Sequence, residues 1–490
     1  MATAPPAPAD SGRAAGEDAP LARTVGRKVL LLFVVGDILG AGIYSLTGKV
    51  AGEVGGAIWV PFLVAFGLAA LTAASYVELV GKYPRAAGAA LYAHKAFDKP
   101  FVTFMVAFTV MMSGVTSAAA AARAFGGDHL AELVSVPTLV AAYAFLALVA
   151  VVNLIGISES MRVNVVLTVI EASGLLVVLA IGVWAVVTGD GEPSRALDLD
   201  PGDASVWTAV LGGTALAFYA LLGFEDSVNL AEECQEPRRD FGRALFGGLA
   251  ITGVVYLAVA FTSTLLVDTA TLQGSTGPLL EVVKVAGLAF PPALFAVIAL
   301  FAVGNTALIN MIMASRLVYG MAREGIVPSV LGRVNRRRTP SVAIAFTIAI
   351  ALTLVTTGDL AGLADTTVLL LLLVFAVVNV AVLVLRGDPG DATGDAKADA
   401  GVDLGGEAPA GPVAPGAVEG AVGAGAGGRG AARRGFRAPT WAPVLGAVVS
   451  LVLASPLTGR EDAVYVRAAL LLGIGVALYV VNRLLVRRAG

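Results

Sequence analysis

The sequence predicts an all-α polytopic membrane protein, and three observations carry that expectation. Hydrophobic residues make up 57% of the 490 and charged residues 14%, whereas an ordinary soluble domain is about half apolar and about a quarter charged. The mean hydropathy is +0.84, and many apolar stretches run to about 20 residues, enough to cross roughly 30 Å of hydrocarbon as helix. Those stretches consist mainly of Val, Leu, Ala, Phe and Ile without period-two alternation, which selects helices over barrel strands. The net charge of −3 says little about partners. No dense basic patch with interleaved aromatics is present, so nucleic-acid binding has no support.

Residues 1–28 form a Pro/Ala/Asp-rich tail without an apolar core, read as disordered and not as a cleavable signal. Twelve spans follow, bounded by the hydropathy of each stretch. The first five lie near 29–50, 56–80, 101–123, 136–157 and 163–188. The next five lie near 206–231, 245–267, 289–315, 341–358 and 364–386, and the last two near 440–456 and 463–484. Residues 29–386 thus form a ten-helix core. From 387 to 438 the chain is rich in Gly, Ala and Pro and low in complexity, so it reads as a passive, flexible linker. Residues 439–490 supply the final helix pair and a short tail. Lys82, Arg85, Lys95, Lys99, Arg238, Arg239, Arg243 and Arg316 crowd the even-to-odd connections. "TGDGEPSRALDLDPGDAS" on the other side is acidic, which predicts cytoplasmic termini.

Cys234 is the only cysteine, which excludes an internal disulfide and a multi-cysteine metal site. His94 and His129 read as ordinary loop residues. No metal site or cofactor is expected. No nucleophile–base pair or phosphate loop has the spacing an enzyme needs.

Two spans are interrupted. In the first, "VVGDILGAGIYSLTGKVAG" places Gly40 and Gly42 where a helix should continue, just after Asp37. Open backbone groups in a bilayer cost several kcal/mol each, on the order of a lost hydrogen bond in hydrocarbon, unless they are satisfied. Such a break is tolerated where it lines a cavity, and the new half-helix N-terminus then suits an anion such as a carboxylate. Close helix packing at the glycines is the plainer alternative. In the sixth span, "ALAFYALLGFEDSVNLAEECQEP" has Gly223 followed by Phe224, Glu225 and Asp226, and acids part-way along a membrane helix need water, a cation or each other. Breaks in helices one and six of ten match two inverted five-helix repeats, with a substrate site at the midplane. These features predict a secondary transporter.

The same residues resemble the amino acid–polyamine–organocation permease superfamily, most closely its bacterial amino acid permeases and cationic amino acid transporters. Gly36–Tyr44 is similar to "GD-x-x-G-x-GIF". "ASYVELVGKYPRAAGAALYAHKAF" is similar to "SY-x-EL-x-x-x-P-x-AGG-x-Y-x-Y". "FYALLGFEDSVNLAEECQEPRRDFGRAL" is similar to "FFAFIGFD-x-x-x-x-AEE-x-x-NP-x-R-x-x-P". "SRLVYGMAREGIVPSVLGRVNRRRTP" is similar to "SR-x-x-YAMARDG-x-LP" with a downstream "TP". The four motifs occur in order and cover residues 29 to about 386.

The resemblance implies a leucine-transporter-type fold that carries a free amino acid across the plasma membrane by alternating access. By the same resemblance, backbone groups of Gly40, Ala41 and Gly42 would bind the substrate carboxylate. Carbonyls around Tyr219, Ala220 and Leu222 would accept from its ammonium. Ile38 and Leu222 would border the side-chain pocket, and Phe224 would serve as an aromatic gate. Ala87, Ala90 and the pair Phe241–Gly242 depart from the family pattern in loops.

Span five departs more consequentially: Glu171 stands where proton-coupled members often carry a lysine. A carboxyl group in an apolar span can exchange a proton during transport, form a cation site, or simply pair with a partner such as Asn305. Proton coupling ranks ahead of sodium, for which Asn305, Thr306 and Ser315 are the candidate oxygen ligands. Glu225 is read as a structural or gating residue beside the unwound segment, ahead of direct substrate contact. The direction of Asp226 is open, and Asp37 lines the cytoplasmic vestibule or bonds a helix end. Glu232, Glu233, Arg238 and Arg239 form either an exposed ion-pair cluster or an inner gate. The rival readings are an exchanger, a polyamine or organic-cation carrier, and a transport-fold sensor or channel.

Overall fold

The computed structural model describes residue 23 and residues 25–85, 88–155, 160–287, 290–323, 326–335, 339–387 and 436–489. Most of the expected tail and of the expected linker lies outside them. Among the described residues the protein is helical, with no strand beyond two isolated bridges, Val25 with Cys234 and Gly55 with Leu199.

The first expected span is two helices, α1 (Arg27–Ile38) and α2 (Ala41–Val54), bent by 43° at the glycines. Then come α3 (Trp59–Lys82), α4 (Gly88–Phe97), α5 (Pro100–Phe125), α6 (Asp128–Ala131), α7 (Thr138–Ile155) and α8 (Ser160–Thr188). The sixth span begins as α9 (Val206–Leu221) and continues past a non-helical stretch as a 3-10 turn, Asp226–Leu230. α10 (Gly242–Leu266), α11 (Thr269–Gly274), α12 (Pro278–Val285) and α13 (Pro292–Arg323) follow. The remaining helices are α14 (Ser341–Thr357), α15 (Leu360–Val384), α16 (Trp441–Ala454) and α17 (Asp462–Ala489).

Among the described residues, nine helices are long and apolar enough to cross a membrane, or ten with the bent pair counted as one span. α14 and α16 are shorter apolar helices at the places of the expected ninth and eleventh spans. The protein is therefore an all-α polytopic membrane protein.

Local sequence sets several helix ends. Ser205, Asp268 and Asp359 each accept a backbone N–H three residues on, at the starts of α9, α11 and α15, which satisfies one orphan donor per helix. Pro100 and Pro278 open α5 and α12, where a missing N–H costs nothing. α5 owes its central position to small residues: Ala118, Ala119, Ala120, Ala121 and Ala122 are fully buried, and α5 packs on both α13 and α15. Small side chains let helix backbones approach where no hydrophobic force drives them together. Val183, Val187, Val254 and Leu470 point outward, an apolar surface suited to lipid.

Three short helices, α4, α11 and α12, lie where the sequence reading expected plain connections. α13 also runs to Arg323, beyond the expected end near 315. His129 departs from its reading as an ordinary loop residue: it sits in the single turn α6, fully buried, with its ring against Gly277. His94 lies within α4. Cys234 is buried and donates to the Leu230 carbonyl at 3.3 Å. Burial, with Asp240 and Glu233 nearby, pushes its thiol up to about 11, consistent with an unreactive side chain.

A charged cluster at the start of the final helix pair ties it to the core, besides the Arg460–Asp365 ion pair. Arg386 donates to both oxygens of Glu78 on α3, at 3.2 and 3.1 Å, and to the Ala438 carbonyl at 2.6 Å. The Ala438 N–H in turn donates to Glu78 at 2.9 Å. Glu78 is buried, with only 4% of its side chain exposed. Removing one partner of such a pair strands a buried charge, at a cost of about 3 kcal/mol or more. Glu78→Ala should therefore lower the melting midpoint of the purified protein by several degrees. Glu192→Ala, which removes an exposed partner of Arg195, should leave the midpoint unchanged in the same thermal scan.

Candidate functional site

The two interruptions face each other. At the first, α1 ends at Ile38 and α2 begins at Ala41, with Gly40 in extended backbone between them. At the second, α9 ends at Leu221, Leu222 is extended, and Gly223 has φ +114°. A side chain at Gly42 would place its Cβ 2.5 Å from the Ala220 Cα, and one at Gly223 would come 2.5 Å from the Asp37 carbonyl oxygen. Backbone meets backbone at both points, which only glycine allows.

Side chains satisfy the backbone groups that the breaks release. Tyr256 on α10 donates to the Ile38 carbonyl at 2.6 Å. Thr306 on α13 accepts from the Ala41 N–H at 3.0 Å and donates to the Ala302 carbonyl at 3.2 Å. Glu225 accepts from the Gly223 N–H at 2.9 Å. Glu225 thus braces the unwound segment from within.

Between the breaks lies a cavity of about 170 Å³. Its walls include Ile38, Gly40, Ala41 and Gly42 from the first break and Tyr219, Ala220, Leu222 and Gly223 from the second. It extends along the halves of α5 and α13 that lie toward Lys99 and Arg323, past Gly88, Ala89 and Asn229. The cavity therefore runs toward the end of the molecule that carries the basic connections. Asp37, Glu225 and Asp226 line it, and no Lys, Arg or His does so among the described residues. Asp37 Oδ2 is buried without a hydrogen-bond partner among the described residues. One wall is polar but uncharged: Tyr219 and Ser117 share hydroxyls at 3.0 Å, and Asn310 donates to Ser117 at 3.4 Å.

Not every candidate residue meets the cavity. Phe224 is fully buried beside it, its ring 6.4 Å from that of Tyr76 and 5.6 Å from that of Phe375. In this arrangement it is a packing residue behind the wall rather than an aromatic lid over the site. Glu171 also lies one layer back, fully buried, and accepts from Asn305 Nδ2 at 3.1 Å. Its other oxygen has no hydrogen-bond partner among the described residues. Asn305 itself does line the cavity, so it stands between the acid and the space.

Asn305, Thr306 and Ser315 do not converge as a cation site would require. Asn305 turns to Glu171, Thr306 to Ala41, and Ser315 to Asn153 at 3.4 Å. Among the described residues no group of three or more His, Cys, Asp or Glu side chains could hold a metal ion. At the basic end, Arg239 pairs with Glu236 in an exposed bridge, while Arg238 donates to the Gly81 carbonyl.

Tyr256, Ser117 and Asn310 escaped the sequence reading. Each is one of several polar residues in its apolar span, so local pattern did not single it out. Their partners are far away in sequence, as Ile38 is 218 residues from Tyr256.

The chain matches the family model described as "Amino acid permease" over residues 26–404. It is 28% identical over 354 residues to the chloroplastic cationic amino acid transporter 9 of Arabidopsis thaliana, covering 68% of this chain and 60% of that one. It is 25% identical over 392 residues to the branched-chain amino acid permease BcaP of Bacillus subtilis, covering 76% and 82%. The methylthioribose transporter of the same bacterium is 25% identical over 386 residues, covering 75% and 82%. The chain thus spans about three-fifths of the length of the plant relative.

The contact between the breaks predicts a sharp difference between glycines. Gly42→Ala should lower the melting midpoint by several degrees, because the Ala220 backbone has no room to give. Gly67→Ala on α3, where nothing lies within 4 Å, should leave it unchanged or slightly raised, as alanine favours helix. Thermal scans of both purified variants check this.

Proposed function

The chain belongs to the amino acid permease family, a family of transporters rather than enzymes, and we propose that it carries a free amino acid across the plasma membrane by alternating access. The observation that carries this reading is the meeting of two helix breaks across one cavity. α2 presents amide N–H groups there, and the end of α9 presents carbonyl oxygens. An amino acid zwitterion is complementary to that pair, its carboxylate at Gly40–Gly42 and its ammonium at Tyr219–Leu222. Relatives named as cationic and branched-chain amino acid carriers support the substrate class.

Two inverted repeats of five helices account for the architecture. Supporting this, four of the five helix pairs that such a repeat relates pack on one another: α2 on α9, α3 on α10, α5 on α13 and α7 on α14. With cytoplasmic termini, as the basic connections favour, the cavity opens inward.

Coupling to protons is assigned to Glu171. The acid is buried, held through one oxygen by Asn305, with no other side-chain partner among the described residues, and lies one layer from the cavity. A carboxyl group that alternates between dry and wet surroundings takes up and releases a proton. The dispersed directions of Asn305, Thr306 and Ser315 favour proton over sodium. A second reading, a carrier of polyamines or other organic cations, is favoured by the cavity lining of Asp37, Glu225 and Asp226 without a base.

Proteoliposomes holding the purified protein, an imposed proton gradient and radiolabelled amino acids test both. Wild type should accumulate substrate up the gradient. Glu171→Gln should lose accumulation while still exchanging substrate at a rate within about twofold of wild type, since the amide keeps the bond to Asn305. Equal exchange by both proteins with no effect of the gradient would leave an exchanger. Flux of polyamines without amino acids would establish the second reading.

A further inference from the structure

We propose that Thr306 is a positioning residue that competes with the substrate carboxylate for the first amide of α2, and so sets both substrate affinity and the return step of the carrier. The inference rests on the amino acid permease reading above and deepens it.

The Thr306 hydroxyl lines the cavity and accepts from the Ala41 N–H at 3.0 Å. Its own proton is committed to the Ala302 carbonyl one helical turn back, so a lone pair faces the amide. The fit is close: a Cβ on Gly40 would come 2.8 Å from that hydroxyl oxygen. The first amides of any helix lack intrahelical acceptors. Tyr256, the other hydroxyl at the break, is buried, lies outside the cavity wall and donates to the Ile38 carbonyl. Thr306 alone of the two presents its acceptor from within the cavity.

A carboxylate arriving at the start of α2 meets an amide that already has an acceptor. It gains the Ala41 bond only by displacing the hydroxyl, which lowers its net affinity. The same hydroxyl has the opposite value during the return step of the transport cycle, when no carboxylate accompanies the break. An amide facing a closing, water-poor cavity without an acceptor is costly, and Thr306 removes that cost. The side chain therefore trades affinity for turnover. A valine has the shape of threonine without the acceptor, and a serine keeps the acceptor.

The experiment uses full-length protein in proteoliposomes, with whichever of the twenty radiolabelled standard amino acids wild type exchanges fastest. Exchange against internal substrate and net uptake into empty vesicles are measured side by side. For Thr306→Val the half-saturation concentration in exchange should fall by roughly threefold to tenfold, the range one hydrogen bond commands. Its maximal exchange rate should stay within about twofold of wild type, while its net uptake should fall by about fivefold or more. Thr306→Ser should behave as wild type in both assays.

A raised half-saturation concentration in the valine variant would overturn the proposal, because the hydroxyl would then be a substrate ligand. Parallel loss of exchange and net uptake, or failure of serine to restore the wild-type pattern, would also overturn it in favour of a structural role. If wild type moves none of the twenty amino acids, the functional reading itself falls and takes this role with it. That result is separable, since it is read on wild type alone.

Discussion

A backbone in hydrocarbon has no water to turn to, and this constraint governs the centre of the molecule. An unpaired N–H or C=O there costs several kcal/mol, a large fraction of a protein's net stability. The break between Ile38 and Ala41 exists only because other helices supply what it lacks: α10 brings Tyr256 and α13 brings Thr306. The second break carries its own brace in Glu225. Once both interruptions are satisfied, they can be pressed together at Gly42 and Gly223, and the space left beside them is the cavity. Helix order, glycine placement and site location are thus consequences of one accounting of hydrogen bonds.

Much of this was legible in the sequence because it depends on local pattern. Apolar stretches of membrane length give the helices, and glycines next to acids give the breaks at Gly40 and Gly223. The pairing of Glu171 with Asn305 was among the alternatives, since each is an isolated polar group needing a partner, and the bond is present. What local pattern does not encode is which distant side chain closes which gap. Tyr256 looks like any tyrosine in an apolar span until α10 is laid against α1. Phe224 follows a glycine at the break and reads as a gate, yet the rings of Tyr76 and Phe375 draw it sideways into the packing. The helices α4, α11 and α12 were missed because stretches of ten residues or fewer are too short for hydropathy to distinguish from loops.

The proposed recognition through main-chain groups would divide the labour at the cavity. The starts and ends of broken helices would treat all zwitterionic amino acids alike, leaving discrimination to the remaining walls. Here those walls have two characters. Tyr219, Ser117 and Asn310 form a neutral hydrogen-bonded set on one side. Asp37, Glu225 and Asp226 place only acids on the other. Glu171 is kept apart from both by Asn305, which bonds the acid and lines the cavity.

The cluster of Glu78, Arg386 and Ala438 has an evolutionary consequence. The chain leaves the core at Arg386 and returns at Ala438, and a single 2.6 Å hydrogen bond joins the two points. α16 and α17 are docked by that cluster, by the Arg460–Asp365 ion pair, by Arg467 on Thr357, Gly362 and Thr366, and by the packing of α16 on α15 and α3. None of those contacts involves a residue between 387 and 436, so they tolerate a change of length in that stretch. The same tolerance makes it a natural place to splice a reporter domain into the transporter.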